Sequence, residues 1–584
     1  MANKKKETSE YTPSKYQTAI FDYIKNGQGH LVVEAAAGSG KTWTLIKSIG
    51  LIPSNKKILL SAFNNDIVKE LKKKVGALPN VDTRTLHSLG LMFINRNYKD
   101  KETAIEPFKY DAWIRKNAAD ISQMNIKRLK YKEYLRYLEN VKKYVDFGRY
   151  YLCQTIKDLD FIDERYDIDP IGDEKDVAIA ALEWGKEELD IIDYVDMIWL
   201  PHALYMKPLG LQYDYIMIDE CQDMNKAERE LVLKCFKMGT RLISFGDSNQ
   251  TIYSFSGSDP ESFETLKAIP NTVSLPLSIS YRCADSIVDF AKKIVPSIER
   301  NDDGREGSII KEASLEDVKD GDMILCRNNA PLIQVYSSFL KMGKKSFIMG
   351  KEIGSNLKTT IRKYRQKELN VSCDKDGLFV RLYDDLFCSR NDLIRHSGID
   401  AATAIYSQQI QNKLDIIKVL EILSSDINTT DELLEKIDNI FSKKNKNEGI
   451  ALSTIHKAKG LEANNVYIAC SSLMPAKSAK LKWEINQEHN LMYVAYTRAK
   501  NKLGFLDEKD FEQFDLSNQK NMKELEKIET KVNLILKKST KVKVTAIEAH
   551  KIVSSATKIT KDDIKRPKAK KKKVNKFATM LNKR

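Results

Sequence analysis

The sequence predicts an α/β protein made of two domains with parallel sheets, each carrying an inserted helical subdomain. Two windows of the chain repeat the same grammar, an apolar β-branched run, a turn and an amphipathic helix, which is how parallel sheets are built. Each window is broken by a long, charged segment with helical periodicity. The length of 584 residues far exceeds one hydrophobic core and leaves room for about four units at roughly 150 residues each.

The first window begins with "HLVVEAAAGSGKTWTLIKSI" and continues through "KKILLSAFNNDIVKELKKKV", "YDYIMIDECQD" and "TRLISFGDSNQ". It assigns residues 1–97 and 191–275 to a first α/β domain, with a helical insertion over 98–190. The second runs through "GDMILCRNNAPLIQVYSSFLKMG", "KKSFIMG", "GIALSTIHKAKGLEANNVYIAC" and "NLMYVAYTRAKNKLGFL". It assigns 276–354 and 447–510 to a second α/β domain, with a reduced helical insertion over 355–446. Residues 511–584 form a basic extension, Lys- and Glu-rich and helical at first, then "IKRPKAKKKKVNKFATMLNKR". That end has too little apolar content to fold alone and is expected to be disordered.

Charge narrows the partners. The chain carries a formal +15, of which residues 561–584, with eleven Lys or Arg and two Asp, contribute +9. A polyanion matches this balance, and nucleic acid ranks above a membrane because no apolar run approaches the ~18 residues a spanning helix needs. "MANKKKETSE" has no apolar stretch behind its basic residues, so no secretory peptide is expected and a cytoplasmic location is. The eight cysteines stand singly without a C-x-x-C pair, which argues against a zinc ribbon, an iron-sulfur cluster or a disulfide framework.

The chemistry concentrates at strand ends. "VVEAAAGSGKTWT", residues 32–44, reads as a strand, a phosphate-binding loop and a helix start. Backbone N–H groups of Ala37, Gly38, Ser39 and Gly40 would cradle phosphates, Lys41 would add a point charge and Thr42 would hold magnesium. The general pattern has Gly at the position of Ala35. "YIMIDECQD" ends a buried strand in Asp219 and Glu220, one carboxylate placed for a magnesium ion and its neighbour for the proton of an attacking water. "ISFGDSNQ" adds Asp247 and Gln250, the latter able to sense a γ-phosphate or position water.

The set "AAAGSGKT", "DECQD", "GDSNQTIYSFSG", "SYRCADSIVDFA", "TIHKAKGLE" and "NLMYVAYTRAK", in this order across residues 11–505, resembles the superfamily 1A DNA helicases of the UvrD, Rep and PcrA type. "AFNN" and the small second insertion look closest to compact phage-encoded and F-box DNA helicase members, which would place a phage-encoded protein in the host cytoplasm. The resemblance implies two RecA-like domains with ATP and Mg2+ in the cleft between them. Lys41 and Thr42 would bind phosphate and metal, Asp219 the metal, Glu220 would be the general base, and Gln250 would read the γ-phosphate. Arg282 and Arg498 would be arginine fingers, Glu462 would contact the ribose and Gln17 the adenine. Tyr281 would stack on the base. Trp43 stands where the family often has Arg, and two readings stay open: the second face of an aromatic sandwich with Tyr281, or a core residue of the first helix. The family commonly has Ala at position 35. Ala36 departs from its Gly, which requires a negative φ there.

A strand track needs phosphate contacts and aromatic faces. The family segments lining that track correspond to Phe63 and Asn64, Thr85 and His87, Tyr253 and Phe255, and Thr454 and His456. Ser256 replaces a common Arg. The Tyr- and Lys-rich stretch 127–151 suggests DNA contact, but helical spacing explains it as well and a solvated amphipathic helix is preferred. Lys459 and "IYSF" follow the 1A branch, implying 3′ to 5′ movement. The expected activity is an ATP-dependent helicase acting on single-stranded and tailed duplex DNA. The alternatives are a protein-stripping translocase with weak unwinding, and a nucleic-acid-binding accessory factor with an impaired ATPase. The tail reads as a DNA tether, with a docking segment for a protein partner as the second reading.

Overall fold

The structure, a computed structural model, describes residues 12–556 apart from 63–64, 77, 99–102, 167, 255–256, 260, 303, 398–399, 442–447 and 515–518. Among the described residues, fourteen strands fall into two six-stranded parallel sheets and one small ribbon. In chain order they are β1 (His30–Ala35), β2 (Ile58–Ser61), β3 (Val81–Arg84), β4 (Ala104–Ile105), β5 (Ile191–Ile192), β6 (Tyr215–Ile218) and β7 (Arg241–Gly246). Then come β8 (Thr272–Leu277), β9 (Ser308–Ala313), β10 (Met323–Cys326), β11 (Ser346–Ile348), β12 (Ile450–Thr454), β13 (Ala463–Ile468) and β14 (Ala499–Leu506). The first sheet has the order β3-β2-β6-β7-β1-β8 and the second β11-β12-β10-β13-β14-β9.

The central strands are continuous apolar runs because helices cover both faces. One face of the first sheet packs Leu31, Val33, Leu60 and Phe245 against Ile20, Leu45 and Leu71 of its helices. Its other face shares a single core with the first insertion, where Val32, Leu59 and Ile216 meet Phe93, Tyr144 and Trp199. The insertion therefore docks on the sheet rather than forming an independent core.

Its long helix Tyr131–Tyr151 buries Tyr137, Val141, Tyr144 and Val145. The tyrosines of that stretch thus serve largely as core, with charges on the outer face. The fully buried Arg149 is held by Asp193 (2.7 Å) and Asp196 (3.0 Å), and Asp196 also takes Lys109 (2.8 Å). Four buried charges are tolerated because each is paired.

The second insertion comprises helices Lys351–Tyr364, Leu378–Ser397, Ala401–Ile405, Gln408–Leu423 and Thr430–Phe441. Its core also takes Leu525 and Val532 from the helix Gln519–Ala556, so the start of the C-terminal extension is packed structure. Asp415 fastens the insertion to the second domain by accepting the backbone N–H groups of Asn329 (3.1 Å) and Ala330 (2.8 Å) at a helix start. Among the described residues no helix is long and apolar enough to cross a membrane. The tail 561–584 lies outside the described residues.

Candidate active site

The phosphate-binding loop, the carboxylate strand end of the first domain and the second domain's motif residues line one cleft. Loop geometry comes first. Gly38 and Gly40 have φ of +73° and +79°, in the left-handed region, whereas Ala36 is not among the positive-φ residues, so its methyl group adds no strain. A Cβ on Gly38 would lie 2.5 Å from the Cβ of Arg282, so this glycine also permits close approach of the second domain. Gly40 precedes the helix Lys41–Ile49 without a side-chain cap, leaving a helix start open to an anion. Among the described residues the buried hydroxyl of Ser39 has no hydrogen-bond partner. These features fit a bound nucleotide phosphate.

Lys41 pairs with Glu220 at 2.8 Å, and the Thr42 hydroxyl donates to Asp219 at 2.9 Å. Burial disfavours the Lys41 ammonium, but Glu220 and Asp219 overcome it and raise its pKa. Burial and the neighbouring Glu220 push Asp219 up. Burial also opposes charge on Glu220, yet Lys41 and then Lys459 hold its pKa below the usual range. The proton of the pair therefore prefers Asp219, and Glu220 stays ionised as a base must. Glu220 itself has φ +57°, a left-handed conformation rarely taken by a non-glycine residue outside functional turns. Among the described residues no group of three or more His, Cys, Asp or Glu gathers as a metal cage. Magnesium commonly uses one or two carboxylates with phosphate and water, and Thr42 with Asp219 suits that mode.

Gln250 lies at the domain boundary. Its amide donates to Asp247 (2.7 Å) and its carbonyl accepts from Arg498 (3.3 Å). Arg498 is 1% exposed, and burial followed by repulsion from Arg282 lowers its pKa to about 10. Arg282 donates to Glu462 at 2.7 Å, and Glu462 also pairs with Lys500. Glu462 is thus tied to two cations rather than presented alone to a ribose. Trp43 and Tyr281 both line the cleft, with Trp43 partly exposed and its ring 6.3 Å from that of Phe21. The reading of Trp43 as a core residue is not supported. Gln17 is 1% exposed and engaged behind the loop, accepting from the Ser14 N–H (3.0 Å) and donating to Thr44 (3.2 Å). Its amide nitrogen also lies 3.6 Å from where a Cβ on Gly40 of the loop would stand.

The expected strand contacts divide. Phe63, Asn64 and Phe255 lie outside the described residues. Thr85 caps the helix Leu86–Asn97 by accepting from Ser88 (3.2 Å), and His87 stands 3.8 Å from Glu228. Thr454 closes β12 and is 7% exposed. Burial, with help from Arg327 and Lys459, lowers His456 to about 3, so its ring is neutral. Tyr253, also expected on the strand track, lies at the boundary with the second domain. It lines the nucleotide cleft, donates to the His456 carbonyl (2.8 Å) and lies under the Lys459 ammonium.

Three contacts across the domains had no separate signal beyond the motifs containing them. Lys459 reaches both oxygens of Asp223 (2.8 and 2.6 Å) and the Gln250 carbonyl (2.7 Å). The buried Tyr493 hydroxyl accepts the Ala37 N–H at 2.9 Å. Asn490 donates to the carbonyls of Ser248 and Thr251. Spacing within a motif does not tell which partner on the other domain a side chain meets.

Residues 17–269 match the UvrD/REP helicase N-terminal domain, and residues 352–508 match the UvrD-like helicase C-terminal domain. Among individual proteins, the chain is 23% identical over 622 residues to a putative ATP-dependent DNA helicase, YjcD, of Bacillus subtilis, covering 85% of this chain and 79% of that one. It is 21% identical over 490 residues to the ATP-dependent DNA helicase PcrA of Staphylococcus aureus, covering 80% of this chain and 60% of PcrA. To the ATP-dependent DNA helicase Rep of Buchnera aphidicola it is 24% identical over 288 residues, covering 46% of this chain and 42% of Rep. The match thus spans less than two thirds of the PcrA and Rep lengths.

Proposed function

This chain belongs to the UvrD/REP helicase family, ATP-dependent DNA helicases with two RecA-like domains, and on that premise we propose that it hydrolyses Mg-ATP in the cleft to move 3′ to 5′ along single-stranded DNA and unwind tailed duplexes. One observation carries the reading: Lys41, Asp219, Glu220, Gln250, Arg282 and Arg498 line a single cleft between the two domains. An accessory factor with a spoiled loop would have no need to keep all six together.

The chemistry follows from the ion pairs. Lys41 neutralises Glu220 at 2.8 Å. ATP phosphates would compete for that ammonium, releasing an ionised carboxylate to take a proton from the attacking water. Magnesium held by Thr42 and Asp219 would offset phosphate charge. Arg498, already on Gln250, and Arg282 would answer negative charge growing on the γ-phosphate. Closure on ATP and reopening after hydrolysis would then advance the strand. The proposed location is cytoplasmic, and the proposed role of the basic tail is a nonspecific DNA tether.

Strand displacement on duplexes with a 3′ or a 5′ tail, with ATP and magnesium, tests activity and polarity together. The expected result is unwinding from the 3′ tail alone, lost together with DNA-stimulated hydrolysis in Lys41→Ala, which should retain single-strand binding. Hydrolysis falling on the order of 100-fold or more is expected in that variant. DNA-stimulated hydrolysis with protein displacement but no unwinding would favour the translocase reading, for which the reduced second insertion speaks.

A further inference from the structure

A second, smaller cavity touches the hydrolytic carboxylates. It is lined by Ser61, Leu86, Asp219, Glu220, Met224 and Glu228, among others. Ser61 is 0% exposed, and among the described residues its hydroxyl has no hydrogen-bond partner. Glu228 is 4% exposed. One of its carboxylate oxygens accepts the Asn225 N–H at 3.1 Å, capping the helix Lys226–Lys234, and the other lies 3.8 Å from Nδ1 of His87.

The position of the cavity matters more than its size. Ser61 ends β2, two positions before Phe63 in the sequence, while Leu86 adjoins Thr85 and His87. Those are the segments expected to hold the DNA strand. The opposite wall is Asp219 and Glu220. Close-packed interiors transmit displacement stiffly, whereas a gap lets two walls move relative to one another at lower cost. Glu228 joins them, because its cap fixes the helix that follows the turn Cys221–Asp223.

We propose that Glu228, spanning this cavity, couples the strand path to the hydrolytic carboxylates as a positioning residue: strand binding at His87 changes the His87–Glu228 contact, and Glu228 passes that change through its helix cap to the Asp219–Asp223 turn. The inference rests on the DNA-dependent ATPase reading above. It assigns Glu228 no bond to ATP and no proton in the reaction.

The full chain is assayed for ATP hydrolysis with and without an oligo-dT strand, and for oligo-dT affinity by fluorescence anisotropy. In Glu228→Ala the DNA-stimulated kcat should fall roughly fivefold or more, with the DNA-free rate and the affinity within about twofold of wild type. Glu228→Gln keeps an acceptor for the Asn225 N–H and should restore most of the stimulation. Ser61→Ala removes a single oxygen atom from the same cavity, is read alongside in case Glu228→Ala folds poorly, and should lose part of the stimulation. Wild-type stimulation in both alanine variants, or a DNA-free rate that falls in proportion, overturns the proposal. A wild-type protein whose hydrolysis ignores DNA would instead remove the functional reading beneath it.

Discussion

Glu228 shows how burial at a single residue becomes a measurable property of the protein. Burial, reinforced by Asp223 and only partly offset by the Asn225 N–H, pushes its carboxyl up to about 7. A raised carboxyl pKa means that the folded protein binds more protons than the unfolded chain between the unfolded value of 4.5 and about 7. Stability is then fully present below that window and is lost as pH rises through it. Glu228→Gln, which cannot ionise, should match wild type near pH 4.5 and exceed it by roughly a few kcal/mol above pH 7. Thermal melts across pH 4.5–8 measure this, and a constant difference would show that Glu228 does not titrate in that window. Lys41, Thr42, Asp219 and Glu220 were legible because a phosphate site demands those residue types at strand ends. Gln17 was not, because its surroundings rather than its motif decide that its amide serves a capping box.

At the scale of elements, the central strands were readable and three edge strands were not. β3 ("VDTR"), β8 ("TVSLPL") and β9 ("SIIKEA") lie at sheet edges and carry polar or exposed residues where inner strands carry apolar runs. Pro276 in β8 is tolerated because an edge strand has one unpaired side. The C-terminal extension shows the opposite case, a charged helix whose few apolar residues settle its place. Leu525 and Val532 are 5% and 1% exposed against the second insertion, with Glu529 on Arg390 at 2.7 Å. Val532→Asp should cost about 2–4 kcal/mol and lower the melting temperature. Removing residues 561–584 should leave that temperature unchanged while weakening DNA binding and flattening its salt dependence. Calorimetry beside salt-titrated binding separates the two, and a melting change in the short truncation would assign the tail a structural role.

Across the whole molecule the two domains meet through charges that have left water. Lys459 and Asp223 have side chains 9% and 3% exposed, and Tyr493 and Arg498 reach the first domain beside them. Removing one partner of a buried pair strands the other, at a cost of about 3–5 kcal/mol. Lys459→Ala should therefore shift the nucleotide-free protein towards an open cleft, seen as a longer distance between fluorophores on the two domains. An unchanged distance would mean that the remaining contacts suffice for closure. Sequence by itself determined the two α/β domains, the chemistry of the loop and carboxylates, and the family, because strand grammar and phosphate-site residue types are local patterns. Only the tertiary structure decided that Tyr253 lies under Lys459, that Glu462 is shared by two cations, that Gln17 braces Thr44 behind Lys41 in the next helix, and that Ser61 and Glu228 enclose a gap beside the carboxylates. Each depends on which side chains from distant parts of the chain are desolvated together, and burial and pairing across domains leave no periodic trace in the sequence.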